Sequence, residues 1–523
     1  MTGLLLIGLI VGALTVTALC RRLGVASPLV LVVVGIMASF LPGVSDLRFD
    51  PNVVLLLVIT PLLYSAALDS SYLSIRANLR PIGLLAVGLV IFTAVAVALA
   101  AWWLIPGLSF AAALVLGAVV APPDAVAAVT VGRRLGLPRR VMTILAGESL
   151  FNDATALTLL RVAVAAAVGA GVSVIDASLM FVWSVAGGVA VGLVIGWVVH
   201  RVRRKLDDPQ VESALGLVVP FTAFLVAEEA HASGVLAVVV AGLYLGHHAP
   251  ETGFATRLQD DAVWRASDTV LESVVFALIG LQLTSVLQRA GDIGDLLMLG
   301  TAITVVVILA RVLWVFPATY VPRALFRGVR DRDPAPRWPI PAVISWAGMR
   351  GAITVAAAFA IPPELPQRDA LVFVAFFVTV ATLLLHGTTL PWVIRKLGVR
   401  RTDQQQEVLS EAEALHAAVQ AALRRVDELA PEDDPLNEHL TRKLRMFAQM
   451  QSNAVWERLG RPDSETGESP TATYRRLRRE MLGAERDTVV ELRNAGRIDD
   501  EVLRRILREL DLEEAMLTRE EEP

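Results

Sequence analysis

Thirteen apolar runs of about 17 to 30 residues follow one another through residues 1–396, each near the length that spans roughly 30 Å of hydrocarbon as a helix. Their approximate extents are 2–19, 26–42, 52–68, 82–105, 108–131, 139–169, 173–200, 211–228, 232–247, 266–287, 294–321, 340–361 and 369–394. The pattern predicts an all-α membrane protein, and strands are not needed anywhere. Overall composition agrees: 55% of the 523 residues are hydrophobic and only 19% charged, which excludes a water-soluble enzyme as the default reading.

The first run has no positive residue before it and Arg21-Arg22 directly after it, so it reads as a retained helix with its N-terminus outside rather than a signal peptide. Alternate loops then collect the basic residues. Arg76 and Arg80, Arg133 to Arg140, Arg201 to Lys205 and Arg323 to Arg332 fall inside, whereas the outside loops offer only Arg48, Arg289 and Arg368. A missed helix would invert every later loop, so this asymmetry supports thirteen spans and a cytoplasmic C-terminus.

After residue 400 the chain changes character. Residues 401–523 hold about 19 basic and about 28 acidic side chains, with heptad-like apolar spacing at Val408, Leu415, Val419, Leu423 and Val426. They read as a cytoplasmic tail of amphipathic helices, separated by linkers at Pro431, Pro435 and 460–470. No nucleotide or metal motif occurs there, so a regulatory or assembly appendage with a partner of its own fits better than a catalytic domain. The net charge of −4 and the lack of a basic block in the apolar part give nucleic-acid binding no support. Cys20, the single cysteine, excludes an internal disulfide.

A charge in mid-bilayer costs at least about 2.5 to 3.5 kcal/mol, so the few that lie inside apolar runs are informative. Four acids, Asp124, Glu148, Asp153 and Glu272, meet three bases, Arg161, Arg311 and Arg350. If each arginine finds an acid, one carboxylate is left over, and a leftover carboxylate in a protein-lined cavity can hold a cation or a proton but need not hold both. Arg161 and Glu272 are expected to snorkel to the interface.

The sixth run carries Gly147-Glu148-Ser149-Leu150-Phe151-Asn152-Asp153. Helical spacing puts Glu148 and Asn152 on one face and Ser149 and Asp153 on the neighbouring one. Asp153 and Ser149, with backbone carbonyls, could supply the oxygen ligands an alkali cation wants. Two carboxylates so close repel each other unless one is compensated. Arg311, deep in the eleventh run, is the natural partner of Glu148, which leaves Asp153 free.

Two runs are interrupted at the backbone level. Ala121-Pro122-Pro123-Asp124 breaks the fifth, and Gly348-Met349-Arg350-Gly351 breaks the twelfth. If spans 1–6 and 8–13 are inverted repeats around the seventh, both breaks take the fifth place of their half, where transporters put substrate sites. Asp124 and Arg350 would then neutralise the exposed half-helix dipoles as a mirror pair. His231, at the turn that opens the ninth run, is a candidate for pH modulation, while His247-His248 reads as loop.

At this point the sequence resembles the monovalent cation/proton antiporters of the Na+/H+ exchanger type, in their bacterial Asn-Asp branch, over essentially residues 1–400. The resemblance rests on the order of Pro61-Leu62-Leu63-Tyr64 with Ala66-Ala67-Leu68, Gly147-Glu148-Ser149 with Asn152-Asp153, Ser233-Gly234-Val235-Leu236-Ala237, Phe276 to Gly280, Gly348 to Ala352, and His386-Gly387. It implies a homodimer in lipid, with dimerisation and ion-carrying core parts and elevator-like alternating access. Asp153 would bind Na+ and H+ in turn, with Asn152 and Ser149 in the same site, and Glu148 with Arg311 would be a structural pair. Asn152 in place of an acid implies one-for-one, electroneutral exchange. Apart from the transported ions, no cofactor is implied.

Two departures touch the ion's surroundings. Members commonly have Thr-Asp-Pro where this chain has Pro123-Asp124-Ala125, and many have an acid where it has Ser65. A K+(Na+)/H+ antiporter is therefore the close alternative. A transport-inactive sensor signalling through the tail, and a channel, are the alternatives from other classes. Abundant Ala, Val, Leu and Arg with few lysines suggests a bacterial source, hence a bacterial plasma membrane.

Overall fold

The computed structural model describes residues 2–41, 51–124, 126–169, 174–206, 208–289 and 293–399, and in the tail 404–429, 439–446, 448–449, 470–495, 497 and 500–519. Arg48, Ala125 and the linkers expected at Pro431, Pro435 and 460–469 lie outside the described residues. The chain divides into two compact units, Met1–Arg401 and Thr402–Pro523.

The first unit is built from helices, and no strand occurs among its described residues. They are α1 (Thr2–Leu23), α2 (Ser27–Ala38), α3 (51–68), α4 (Leu79–Leu104), α5 (Phe110–Val120), α6 (Val126–Arg134), α7 (Arg139–Ala167), α8 (Val174–Arg203), α9 (Pro209–Glu229), α10 (Gly234–His247), α11 (Phe254–Leu281), α12 (Ile293–Leu325), α13 (Pro339–Trp346), α14 (Ala352–Phe359) and α15 (Arg368–Leu397). Each expected run falls on one helix, except that the fifth and twelfth are the interrupted pairs α5 with α6 and α13 with α14, and the tenth runs past Leu281 into a further short helix, Leu283–Arg289. By length and composition, eight helices among the described residues can cross a membrane. The expected thirteen would add the shorter apolar α2, α3, α5 and α10 and the broken α13 with α14, so helix length alone does not fix that count.

Local chemistry sets the ends. The Ser109 hydroxyl accepts from the Ala112 amide at 3.1 Å to start α5, Ser233 does the same for Leu236 in α10, and Asp208 caps α9 through the Gln210 and Val211 amides. Pro122 and Pro123 have no amide hydrogen to continue α5, and the chain leaves the helix after Val120. His247, read as loop from sequence, instead ends α10, and His248 caps it at the turn that follows, where its ring stacks on Tyr244 at 4.4 Å and lies 4.7 Å from His200. Tyr244 is one helical turn before His248, which is why the ring is captured.

Within this unit the helices sort by packing into two bodies: α1–α3 with α8–α11, and α4–α7 with α12–α15. In the first, α2 and α11 approach through glycine. A Cβ on Gly35 would come within 2.5 Å of the Ala277 carbonyl oxygen, and one on Gly280 would overlap the Val32 carbonyl; small residues allow this approach where lipid offers no hydrophobic drive. Ile175, Leu179, Trp183 and Trp197 of α8 are each more than half exposed. Apolar surface of that kind belongs against lipid or another apolar face, not water.

The second unit contains α16 (Gln404–Leu429), α17 (Pro470–Asn494) and α18 (Asp500–Arg519). Arg478 of α17 donates to Glu513 of α18 at 2.6 and 2.7 Å, and Arg486 donates to Asp511 and Glu514, so the last two helices form an antiparallel hairpin.

Candidate cation site

The Asn-Asp motif lies in the middle of α7, where four successive polar side chains take different surroundings. Glu148 is 2% exposed, and Arg311 from α12 donates to it from both terminal nitrogens, at 2.6 and 2.9 Å. The Arg311 Nε donates to the Ile344 carbonyl of α13 at 3.1 Å. Gly348 makes this possible, because a Cβ there would overlap the arginine side chain. Asn152 is fully buried and its Nδ2 donates to the Pro123 carbonyl at 2.6 Å. A carbonyl bared by a helix break needs such a donor in the absence of water.

The two breaks lie against each other, with the Asp124 amide donating to the Met349 carbonyl at 2.6 Å. Arg350, 1% exposed, donates from Nε to the Val120 carbonyl at 3.0 Å, from Nη2 to Ala121 at 3.4 Å, and from Nη1 to Gly348. Val120 and Ala121 carry the carbonyls at the C-terminal end of α5, the negative end of its dipole. The Asp124 carboxylate rests against Gly351, the N-cap of α14 and thus the positive end of that half-helix. A base therefore sits on one half-helix end and an acid on the other.

Between the two bodies is a cavity of about 270 Å³. Ser65 and Asp69 of the α3 segment with Asp268 and Glu272 of α11 form one wall. Ser149 and Asp153 of α7, the first break, Thr130 and Arg133 of α6, and Gly351 to Thr354 form the other. Asp69 and Arg133 are exposed at the mouth, while Asp153 is 4% exposed at the floor. Among the described residues Asp153 has no hydrogen-bond or ion-pair partner. Five carboxylates and one arginine line the space, and clefts of one sign concentrate ions of the opposite sign.

The structure brings Asp153, Ser149 and Asp124 to the cavity and sets Asn152, Glu148, Arg311 and Arg350 behind its wall. His231 is elsewhere, exposed at the turn between α9 and α10 with a φ of 53°. Arg161 pairs with Glu228 at 2.5 Å with about half its side chain exposed. Glu272, expected to snorkel to the interface, lines the cavity instead, because it shares a face with Asp268 one turn earlier. Asp268 is a residue that sequence reasoning passed over; the i, i+4 spacing of these two acids in an apolar helix was the available signal.

Residues 9–396 match the family described as sodium/hydrogen exchanger, transmembrane. The chain is similar to an uncharacterized Na+/H+ exchanger of Mycobacterium tuberculosis, 37% identical with 98% of this chain and 96% of that protein covered. It is also similar to a sodium, potassium, lithium and rubidium/H+ antiporter of Bacillus pumilus, 29% identical with 78% and 63% covered. Among solved structures, its fold is similar to that of the sodium proton antiporter MjNhaP1 from Methanocaldococcus jannaschii, with a TM-score of 0.56, 14% identity, and 76% of this chain and 99% of that chain covered. The family is one of multi-pass membrane transporters rather than typical enzymes. The chain belongs to the transmembrane sodium/hydrogen exchanger family.

Proposed function

We propose that the protein exchanges Na+ for H+ across the bacterial plasma membrane by competition of the two ions for Asp153. The observation that carries this reading is the environment of Asp153: a carboxylate at the floor of an acidic cavity, 4% exposed, with no partner among the described residues. Such a group can be neutralised by a bound cation or by a proton, and binding one opposes the other. Ser149 beside it and the broken backbone at 121–124 offer the oxygen ligands a hard cation takes.

Exchange would be one for one and electroneutral. Glu148 is already neutralised by Arg311, and Asn152 carries no charge, so a single carboxylate of α7 is available for exchange. The cavity separates two bodies, and Asp153, Ser149 and both breaks belong to one of them; sliding that body against the other would carry the site across the bilayer as an elevator. The exposed apolar face of α8 supports pairing of two copies through the other body. The distribution of arginines supports an outside N-terminus and a cytoplasmic C-terminus. Residues 401–523 would be a regulatory tail with its own ligand or partner, and His231 would modulate the pH response.

The test is exchange in reconstituted vesicles, followed with a pH-sensitive dye under an imposed cation gradient. Asp153→Asn is expected to abolish exchange, and retained exchange would overturn the assignment. An imposed membrane potential should leave the rate unaltered. A second reading, K+(Na+)/H+ exchange, is favoured by the cations for which the Bacillus pumilus relative is named and by Pro123 in place of a threonine hydroxyl. Rates with Na+, K+ and Li+ compared in the same vesicles decide between them.

A further inference from the structure

We propose that Asp268, oriented by Ser65, is a second cation ligand of the cavity, one that captures the cation on the wall opposite Asp153 before it reaches the floor. The inference rests on the transport reading above and names a residue that reading does not use.

The Ser65 hydroxyl donates to the Asp268 Oδ2 at 2.6 Å. The hydroxyl hydrogen is committed to the carboxylate, so the serine oxygen keeps its lone pairs for a cation. The other carboxylate oxygen, Oδ1, is shielded from solvent and has no hydrogen-bond partner. No base among the described residues comes within ion-pair distance of Asp268; Arg21, the nearby arginine, donates instead to Thr269 at 3.0 Å. A carboxylate whose role was to lock helix packing would be expected to hold a base or to fill both oxygens.

Position adds a second argument. Asp268 and Ser65 belong to the body of α1–α3 and α8–α11, whereas Asp153 belongs to the other. Both line the same cavity, into which the 4% exposed and unpartnered Asp153 also faces. A cation that enters past Asp69 at the mouth meets Asp268 and Glu272 on one wall, and is then handed to the body that moves. Glu272, one turn further along α11, has no hydroxyl among the described residues to orient it, which is why Asp268 is singled out.

A capture residue affects how much cation is needed more than how fast a loaded site turns over. In reconstituted vesicles Asp268→Asn is expected to raise the KM for Na+ by roughly 3- to 10-fold, one carboxylate's share of the about 10- to 1,000-fold by which a whole charged cleft concentrates ions, and to lower Vmax less. Ser65→Ala should move KM the same way by a smaller factor, and Asp268→Glu should keep it near the parent value. The exchanged pair, Ser65→Asp with Asp268→Ser, should restore KM because it returns a carboxylate and a hydroxyl to the same place. Raising ionic strength with an impermeant salt should raise KM in the parent more steeply than in Asp268→Asn. An unchanged KM in Asp268→Asn, or a fall in Vmax alone that tracks the amount of folded protein, overturns the proposal. If Asp153→Asn abolishes exchange in the same experiment, that failure belongs to Asp268 alone; if Asp153→Asn keeps exchange, the transport reading itself has failed.

Discussion

Arg311 grips Glu148 with both terminal nitrogens, at 2.6 and 2.9 Å, with each side chain 2% exposed. The pair joins α12 to α7 and removes from α7 the charge that would otherwise repel Asp153, a little over one turn away. Removing one partner leaves a buried charge alone, which costs about 3 to 5 kcal/mol. Arg311→Ala is therefore expected to lower the melting temperature in detergent sharply, and Arg311→Lys to rescue little, because one ammonium cannot reproduce a two-bond fork. The double variant Glu148→Leu with Arg311→Met should melt above either single variant. Additive losses would mean that the two groups are not coupled.

Gly351 has no Cβ where the Asp124 carboxylate lies. Gly351→Ala should displace that carboxylate from the N-terminus of α14 and separate the two breaks, with a large loss of exchange at normal expression. Asp124→Asn keeps the shape and loses the charge, so its stability cost should be limited to about 0.3 to 2 kcal/mol for a group at a helix terminus. Thermal melting together with exchange assays separates the two variants. Equal behaviour of Gly351→Ala and the parent would show that the close approach is unimportant.

The fold was legible where one physical rule acts alone. Bilayer thickness sets the length of an apolar run, and each expected run lands on a helix or a broken pair. The doubled proline and the Gly-Met-Arg-Gly segment predicted both interruptions, because missing amides and missing side chains act locally. The pairing of Glu148 with Arg311 was legible from the charges inside the apolar runs, but the expectation that each arginine takes one of the four acids was not met, because Arg161 pairs with Glu228 and Arg350 donates to backbone carbonyls. What could not be read was the relation between distant helices. Nothing near Ser65 in sequence announces Asp268, some 200 residues away. Glu272 looked able to snorkel because its distance from the interface was all the sequence offered, whereas the opposite wall of the cavity decides its surroundings. The contact of Asn152 with the Pro123 carbonyl was equally out of reach, since the need for a donor is visible at the break but its source is not.

That contact makes a prediction of its own. Asn152 Nδ2 donates to the Pro123 carbonyl at 2.6 Å in a fully buried setting. Asn152→Ala should leave the carbonyl unsatisfied and cost about 1 to 3 kcal/mol, whereas Asn152→Gln should not restore the bond, because its extra methylene moves the amide. Melting curves of the three proteins check this. A neutral effect of Asn152→Ala would mean that another donor reaches Pro123.

A last prediction concerns pH and the loop after α12. Asp333 accepts from Arg140 and from Arg323, both at 2.6 Å, and lies 3.9 Å from Arg80. One carboxylate thus ties the starts of α4 and α7 to the end of α12. Burial pushes the Asp333 carboxyl up, but the hydrogen bond from Arg140 and the charges of Arg140, Arg323 and Arg80 outweigh it and hold it below the usual carboxylate range. A carboxyl that binds its proton less readily when folded contributes stability above its unfolded value of about 3.9, and that contribution is lost as pH falls through the lower folded value. Asp333→Asn should therefore melt below the parent at neutral pH, with the gap closing progressively once the pH drops under about 4. Melting curves from pH 7 to the acid limit of the protein test this, and a gap that stays constant across the range would show that the carboxylate's charge is not what holds the three helices.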